Sequence, residues 1–196
     1  MIVRLDFGGE ALRKRALRVR STASDGVGAI ARLGPKLPFK SMIADEIFLD
    51  HSLAHIEDFA GAMEELWRIS KPGTLIHLRL PHASSAWALS RDPRHGRHYT
   101  LETFNYFDPR LNGNGTPACS SKAAFKVEHA RLYLTGARGD ARGLALARGA
   151  FSKIIEGFVN QDRGMQYRWE RWFAPLVGGF EEFYVVLSAV KQPTFA

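Results

Sequence analysis

The spacing of apolar and polar positions changes several times along the chain, and each change marks an element. Ile2–Leu5 is a short apolar run closed by Asp6, Gly8 and Gly9, which predicts a strand running into a tight turn. Leu17–Arg20 reads as a second, short strand, whereas Ser21–Gly34 is rich in Ala, Gly and Ser and has no assignable period. Ala44–Leu49 ends in Ile47, Phe48 and Leu49, as a buried strand does. Glu57–Lys71 then carries Phe59, Met63, Leu66 and Trp67 at helical spacing, with Pro72 and Gly73 as the stop. Thr74–Leu80 is apolar again and ends at Pro81, which completes a strand–helix–strand unit. Such a unit requires parallel strands joined by a right-handed crossover.

Farther on, His82–Pro109 is polar and aromatic, and Asn112–Ser121 is a loop of Gly, Asn, Pro and Ser. Phe125, Val127, His129, Arg131 and Tyr133 alternate with their neighbours in strand period. Leu144, Ala147, Phe151, Ile154, Ile155 and Phe158 form a helical stripe, and Phe183–Val190 is a last strand. The expectation is one α/β domain over residues 1–196, with three αβα layers and no linker able to divide it. Residues 82–121 are expected to form a lid on the substrate side of the sheet.

Composition narrows the functional classes. Hydrophobic residues make up 45% of the chain, and no apolar run approaches the ~20 residues that span a bilayer. Met1–Glu10 lacks the apolar core of a signal peptide, and the lone Cys119 can form neither an internal disulfide nor a multi-cysteine zinc site. A reducing cytoplasm is the expected location. The formal charge is +7, densest at Arg13, Lys14, Arg15, Arg18 and Arg20. A solvated basic surface accounts for it, and nucleic acid is not expected as a partner.

Several residue types carry candidate chemistry. His51 and His55 stand four apart, as helical metal ligands do, but Ser52 occupies the place of the glutamate in H-E-x-x-H, so no metal is expected. No Gly-x-Ser-x-Gly or Walker-type loop is present, which leaves acyl and phosphoryl transfer unsupported. Arg163, Tyr167, Arg168, Trp169, Arg171, Trp172 and Phe173 interleave bases with aromatics. That pattern suits nucleic acid or a headgroup surface, but the preferred expectation is a last helix packing Trp169, Trp172 and Phe173 on the sheet.

Specific stretches add a resemblance. Leu37-Pro38-Phe39 through Asp45-Glu46-Ile47 is similar to an "LPF…FD-x-I" entry into a strand, and His51-Ser52-Leu53-Ala54-His55-Ile56 to an "H-x-L-E-H-I" turn. Glu65-Leu66-Trp67-Arg68-Ile69-Ser70-Lys71-Pro72-Gly73 is similar to an "E-x-x-R-V-L-K-P-G-G" helix end. Asp92-Pro93-Arg94-His95-Gly96-Arg97-His98-Tyr99 with Glu102-Thr103-Phe104 resembles a "D-P-x-H-x-R-x-F-T…F" segment. Together these resemble the class I S-adenosylmethionine-dependent methyltransferases, in particular bacterial methyltransferase domains found near sugar and envelope biosynthesis.

The resemblance implies a Rossmann-like, mostly parallel sheet with an antiparallel C-terminal strand. It implies S-adenosylmethionine as cofactor, held by Asp6, Gly8, Gly9, Leu37, Pro38, Phe39, Asp50 and His51, with these turns at the carboxyl edge of the sheet. The base, where one is needed, is His51 or His95, since histidine titrates near neutral pH. The acceptor is a small hydroxylated molecule such as a sugar or polysaccharide precursor, and a homo-oligomer remains open. Departures from the family pattern define an alternative. Asp6-Phe7-Gly8-Gly9-Glu10 replaces a three-glycine turn, and Arg20, Arg32 and Ala54 stand where the family places acids. A degenerate domain that binds without catalysis has such a pattern.

Overall fold

Residues 3–7, 17–20, 29–31, 33–85, 97–110, 121–134, 145–174 and 179–191 are described by the computed structural model. In chain order the elements are β1 (Arg4–Asp6), β2 (Leu17–Arg20), β3 (Ala29–Ile30), β4 (Ala44–Asp50), α1 (Phe59–Ile69) and β5 (Ser70–Pro81). After these come α2 (Glu102–Asn105), β6 (Phe125–Tyr133), α3 (Ala145–Val159), α4 (Arg163–Arg168) and β7 (Glu182–Ala189). A 3₁₀ turn, Ser52–His55, follows β4, and a π turn, Trp169–Phe173, follows α4. The strands form one sheet in the order β3-β2-β1-β4-β5-β7-β6. β1 to β5 pair in parallel, and β7 runs antiparallel to both β5 and β6. The parallel neighbours expected at 44–49 and 74–80 are therefore present, and α1 connects them.

Burial follows the strand period. Leu5, Ile47, Leu49, Ile76, Leu78, Leu80, Phe183, Val185 and Leu187 join Phe59, Ala62, Met63, Leu66 and Ile69 of α1 in one apolar core. The alternate positions Glu46, Asp50, His77, Arg79 and Tyr184 are only half-buried and give the opposite face of these strands a polar, aromatic character. α1 starts where the Asp58 carboxylate accepts the Gly61 N–H at 2.8 Å, a side-chain cap for an otherwise unpaired donor. It ends at Ile69, and the chain passes straight into β5 at Ser70, whose hydroxyl donates to the Leu66 carbonyl at 2.7 Å. The expected stop at Pro72-Gly73 is thus an irregularity within β5. The register shifts between the pairs Ala44–Ser70 and Glu46–Leu75, and Gly73 takes a φ of 77° that favours glycine.

Two expected faces differ in the structure. A shift in register between Val127 and His129 inserts Glu128 as a bulge, so Phe125, Ala130 and Leu132 are buried while His129 and Arg131 are exposed. Strict alternation would have kept Phe125, His129 and Arg131 together. In α3, Val159 and Glu156 turn inward while Ile154 and Phe158 are exposed. Leu144 of the expected stripe lies outside the described residues. No helix among the described residues is long and apolar enough to cross a membrane.

The reason α3 turns this way lies at the edge of the sheet. β6 ends the strand order, so its outward amides lack a strand partner. The Asn160 side chain accepts the Leu132 N–H at 2.8 Å and donates to the Leu132 carbonyl at 2.9 Å. Glu156 accepts the Leu134 N–H at 2.9 Å, and Gln166 donates to the Ala130 carbonyl at 2.8 Å. Polar side chains of the helical hairpin therefore complete the edge that a further strand would otherwise pair.

The segment before β4 is fastened to α1. The Leu37 N–H donates to Glu65 at 2.6 Å, and Arg68 donates to Glu65 at 2.7 Å and to the Phe39 carbonyl at 2.7 Å. The hydrogen bond from Arg68 holds the Glu65 carboxyl below the usual glutamate range, against the opposing cost of its burial, and Leu37 adds to the effect.

Two outcomes follow. Asn160→Ala leaves the Leu132 N–H and carbonyl unpaired and should cost about 2 kcal/mol in a denaturant titration; a loss under about 0.5 kcal/mol would mean the edge is not held by this side chain. Glu65 has a lower pKa folded than unfolded, so its stabilisation is complete above about pH 4.5 and is lost as the pH falls through the depressed folded value. Glu65→Gln should thus be destabilised most at pH 7, with the gap to the parent closing below about pH 4.5. A gap that stays constant down to pH 3 would contradict the account.

Candidate functional site

Parallel strands deliver their carboxyl ends to one edge, and here β1, β4 and β5 are neighbours. Phe7 follows β1 and donates its N–H to the Phe48 carbonyl at 2.9 Å. The Ser52 hydroxyl donates to the Phe7 carbonyl and also reaches the Asp50 carbonyl at 3.2 Å, tying the β1 and β4 ends together. Between them His51 takes a left-handed backbone, φ 56°, unusual for a residue with a side chain. Its N–H donates to the Arg79 carbonyl of β5 at 2.9 Å, which fixes the bend.

The bend turns the His51 imidazole toward two carboxylates. Nε2 lies 3.5 Å from Asp50 Oδ1 and 3.4 Å from Glu182 Oε1, and the ring is one-third exposed at 33%. Glu182 opens β7 and reaches this point because β7 pairs antiparallel with β5, opposite Pro81. The Asp50 side chain is 8% exposed, and its Oδ1 is buried without a hydrogen-bond partner among the described residues. Beside it, Phe48, Leu49, Asp50, His77, Arg79, Tyr133 and Tyr184 line a groove of about 220 Å³. Its floor is organised: Phe48 stacks on His77 at 4.7 Å, and His77 bonds Tyr184 at 2.6 Å and Glu46 at 3.1 Å.

Beyond β5 the chain is sealed into the core. His82 is 1% exposed; its Nε2–H donates to Glu170 of the π turn at 2.8 Å, and its Nδ1 accepts the Ser84 N–H at 3.1 Å. Glu170 also accepts the Leu101 N–H at 2.8 Å, and the Tyr99 hydroxyl donates to the Leu53 carbonyl at 2.9 Å. Burial pushes that phenol up to about 12, so it remains a hydrogen-bond donor. Tyr99, Phe104 and Phe107 surround Phe59 with ring centroids 5.3 to 6.2 Å away. Those described parts of 82–121 are built into the apolar core.

Of the residues expected at a cofactor site, Asp50 and His51 stand together at the carboxyl end of β4, and Asp6 is fully buried at the end of β1. Leu37, Pro38 and Phe39 run alongside α1, with Leu37 and Phe39 held by Glu65 and Arg68 near its C-terminal end. The Phe39 ring stands edge-on to Phe7, just after β1, at 6.5 Å. Gly8, Gly9, His95 and Arg32 lie outside the described residues. Phe7, Arg79 and Glu182 join the site without having been singled out in the sequence. His77 and Arg79 were detectable as polar residues alternating with Ile76, Leu78 and Leu80, whereas nothing local marks Glu182. No group of three or more potential metal ligands clusters among the described residues.

No protein-family model and no curated protein matches the sequence. Solved structures do. An S-adenosylmethionine-dependent methyltransferase from Mesorhizobium loti is 15% identical with a TM-score of 0.53, covering 95% of this chain and 90% of that one. One from Archaeoglobus fulgidus is 13% identical with a TM-score of 0.51, covering 95% and 86%. Phosphoethanolamine N-methyltransferase 2 from Haemonchus contortus, in complex with S-adenosyl-L-methionine, is 13% identical with a TM-score of 0.53 and is matched over 97% of this chain and 49% of that one. Likeness at such identities is a likeness of fold, and it agrees with the strand order and the antiparallel β7. The chain therefore has the class I, Rossmann-like fold of the S-adenosylmethionine-dependent methyltransferases.

Proposed function

We propose that the chain binds S-adenosylmethionine at the carboxyl edge of β1 and β4 and methylates a small hydroxylated acceptor, a sugar or polysaccharide precursor being the expected kind. Asp50 carries this reading. Its Oδ1 is buried, with the His51 imidazole 3.5 Å away but no hydrogen bond among the described residues, and Asp50 lines the groove, so a cationic ligand there gains a carboxylate partner. The groove suits an amino-acid-bearing cation. Asp50 faces an ammonium or sulfonium charge, Arg79 takes a carboxylate, and Phe48, Tyr133 and Tyr184 supply aromatic walls. Its volume, about 220 Å³, is below the roughly 300–1,000 Å³ of whole small-molecule sites. It therefore fits part of the cofactor, and the rest is assigned to the turn after β1 with Asp6, Gly8 and Gly9 and to Leu37-Pro38-Phe39.

When bound, S-adenosylmethionine supplies a methyl group made electrophilic by its sulfonium. The protein's own part is to position the acceptor hydroxyl and take its proton. His51 is placed for that role: the ring is partly exposed, and its Nε2 lies 3.5 Å from Asp50 and 3.4 Å from Glu182, which orient it. His95 is a second candidate on the acceptor side. The alternative, a degenerate binding domain that kept the fold and lost the cofactor, is favoured by Arg20 and Arg32. Arg20 ends β2, where the family carries an acid that accepts hydrogen bonds from ribose hydroxyls, and arginine only donates.

Titration calorimetry with S-adenosylmethionine and its demethylated product decides between them. Binding of both is expected, weakened about tenfold or more in Asp50→Asn because a charge-assisted contact is lost. His51→Ala should lower turnover on an accepted substrate by more than it weakens that affinity. No heat with either ligand at millimolar concentration would end the enzymatic reading.

A further inference from the structure

We propose that the outer face of α3 and the π turn docks on an anionic membrane surface. Of the aromatics at 163–173, Tyr167 and Trp169 pack against the core, as expected for Trp169, whereas Trp172 and Phe173 do not. Trp172 is 66% exposed, and Phe173 is also exposed. They continue onto α3, where Ile154 is 70% exposed and Phe158 lies one turn later on the same face. The rings form a single surface: Phe158 meets Trp169 at 6.2 Å, and Trp169 meets Phe173 at 4.9 Å.

Charge on this surface is predominantly positive, with Asp162 before α4 an exposed acid near Arg168, and the predominance has a structural reason. The acids of α3 and the π turn point inward: Glu156 holds the Leu134 amide at the β6 edge, and Glu170 holds His82 and the Leu101 amide. The intervening bases Lys153, Arg168 and Arg171 are exposed, and the Arg171 guanidinium lies 6.0 Å from the Trp172 ring. Large apolar side chains ringed by bases match the boundary between acyl chains and anionic headgroups. Exposed aliphatic Ile154 adds nothing to nucleic-acid binding, which uses stacking rings and bases. A second copy is disfavoured too, because a two-fold contact would set these bases against themselves.

The test is co-sedimentation of the full chain with vesicles of phosphatidylcholine alone and of phosphatidylcholine with phosphatidylglycerol. Binding is expected only with phosphatidylglycerol present at about 0.1 M salt, and it should weaken strongly at about 1 M salt, where charges are screened beyond roughly 3 Å. Trp172→Ala should lower partitioning about tenfold or more, and Arg168→Ala and Arg171→Ala about fivefold each. All three side chains are exposed, so thermal midpoints should stay unchanged and separate lost docking from lost folding. Equal binding by these variants would overturn the proposal. So would salt-independent binding to phosphatidylcholine alone, or no vesicle binding together with RNA binding sensitive to the same substitutions. A concentration-dependent dimer abolished by Trp172→Ala would assign the face to a second copy instead.

Discussion

The parallel pairing of β4 with β1 on one side and β5 on the other governs what this chain can do. It forces the ends of three strands onto one edge, so that Phe7, Asp50 and Arg79 become neighbours although 43 and 29 positions separate them in the sequence. The hydroxyl of Ser52 and the amide of His51 then bridge that edge, to Phe7 and Arg79 respectively. The left-handed backbone of His51 is an expense of local geometry that those two bonds offset. What results is a partly exposed imidazole between two carboxylates, standing over a groove with aromatic walls.

The pairing depends on a sealed core behind it. α1 covers one face of the sheet, and the segment after β5 closes the core with Tyr99, Phe104 and Phe107. Within it Glu170 Oε1 takes both the His82 ring and the Leu101 amide, while Glu170 Oε2 has no hydrogen-bond partner among the described residues. The same glutamate orients the π turn. Glu170 is drawn inward, and Arg171, Trp172 and Phe173 face solvent.

Much of the architecture was legible in the sequence, for identifiable reasons. Leu17–Arg20 and the order of the β4–α1–β5 unit appear as the pattern puts them, although α1 ends at Ile69 and β5 already begins at Ser70, ahead of the expected stop at Pro72-Gly73. β3 has two residues, Ala29 and Ile30, too few to show a period inside an Ala/Gly/Ser-rich stretch. The bulge at Glu128 reverses the faces of β6 without any glycine or proline to announce it. α3 looked like a core helix because Ile154 and Phe158 keep helical spacing, yet spacing does not say which side is covered. The site divides in the same way. Asp50 and His51 belong to a local motif and were singled out; Glu182 meets His51 only through the β5–β7 pairing, which no local spacing encodes.

The central claim is that ligand binding occurs at the edge shared by β1 and β4. Amide hydrogen exchange with and without saturating S-adenosylmethionine tests it residue by residue. The account predicts slowed exchange at Phe7 and at Asp50 to Leu53, with the Asn160-capped edge of β6 unchanged. Exchange at Asp50 to Leu53 that is the same with and without ligand would contradict it.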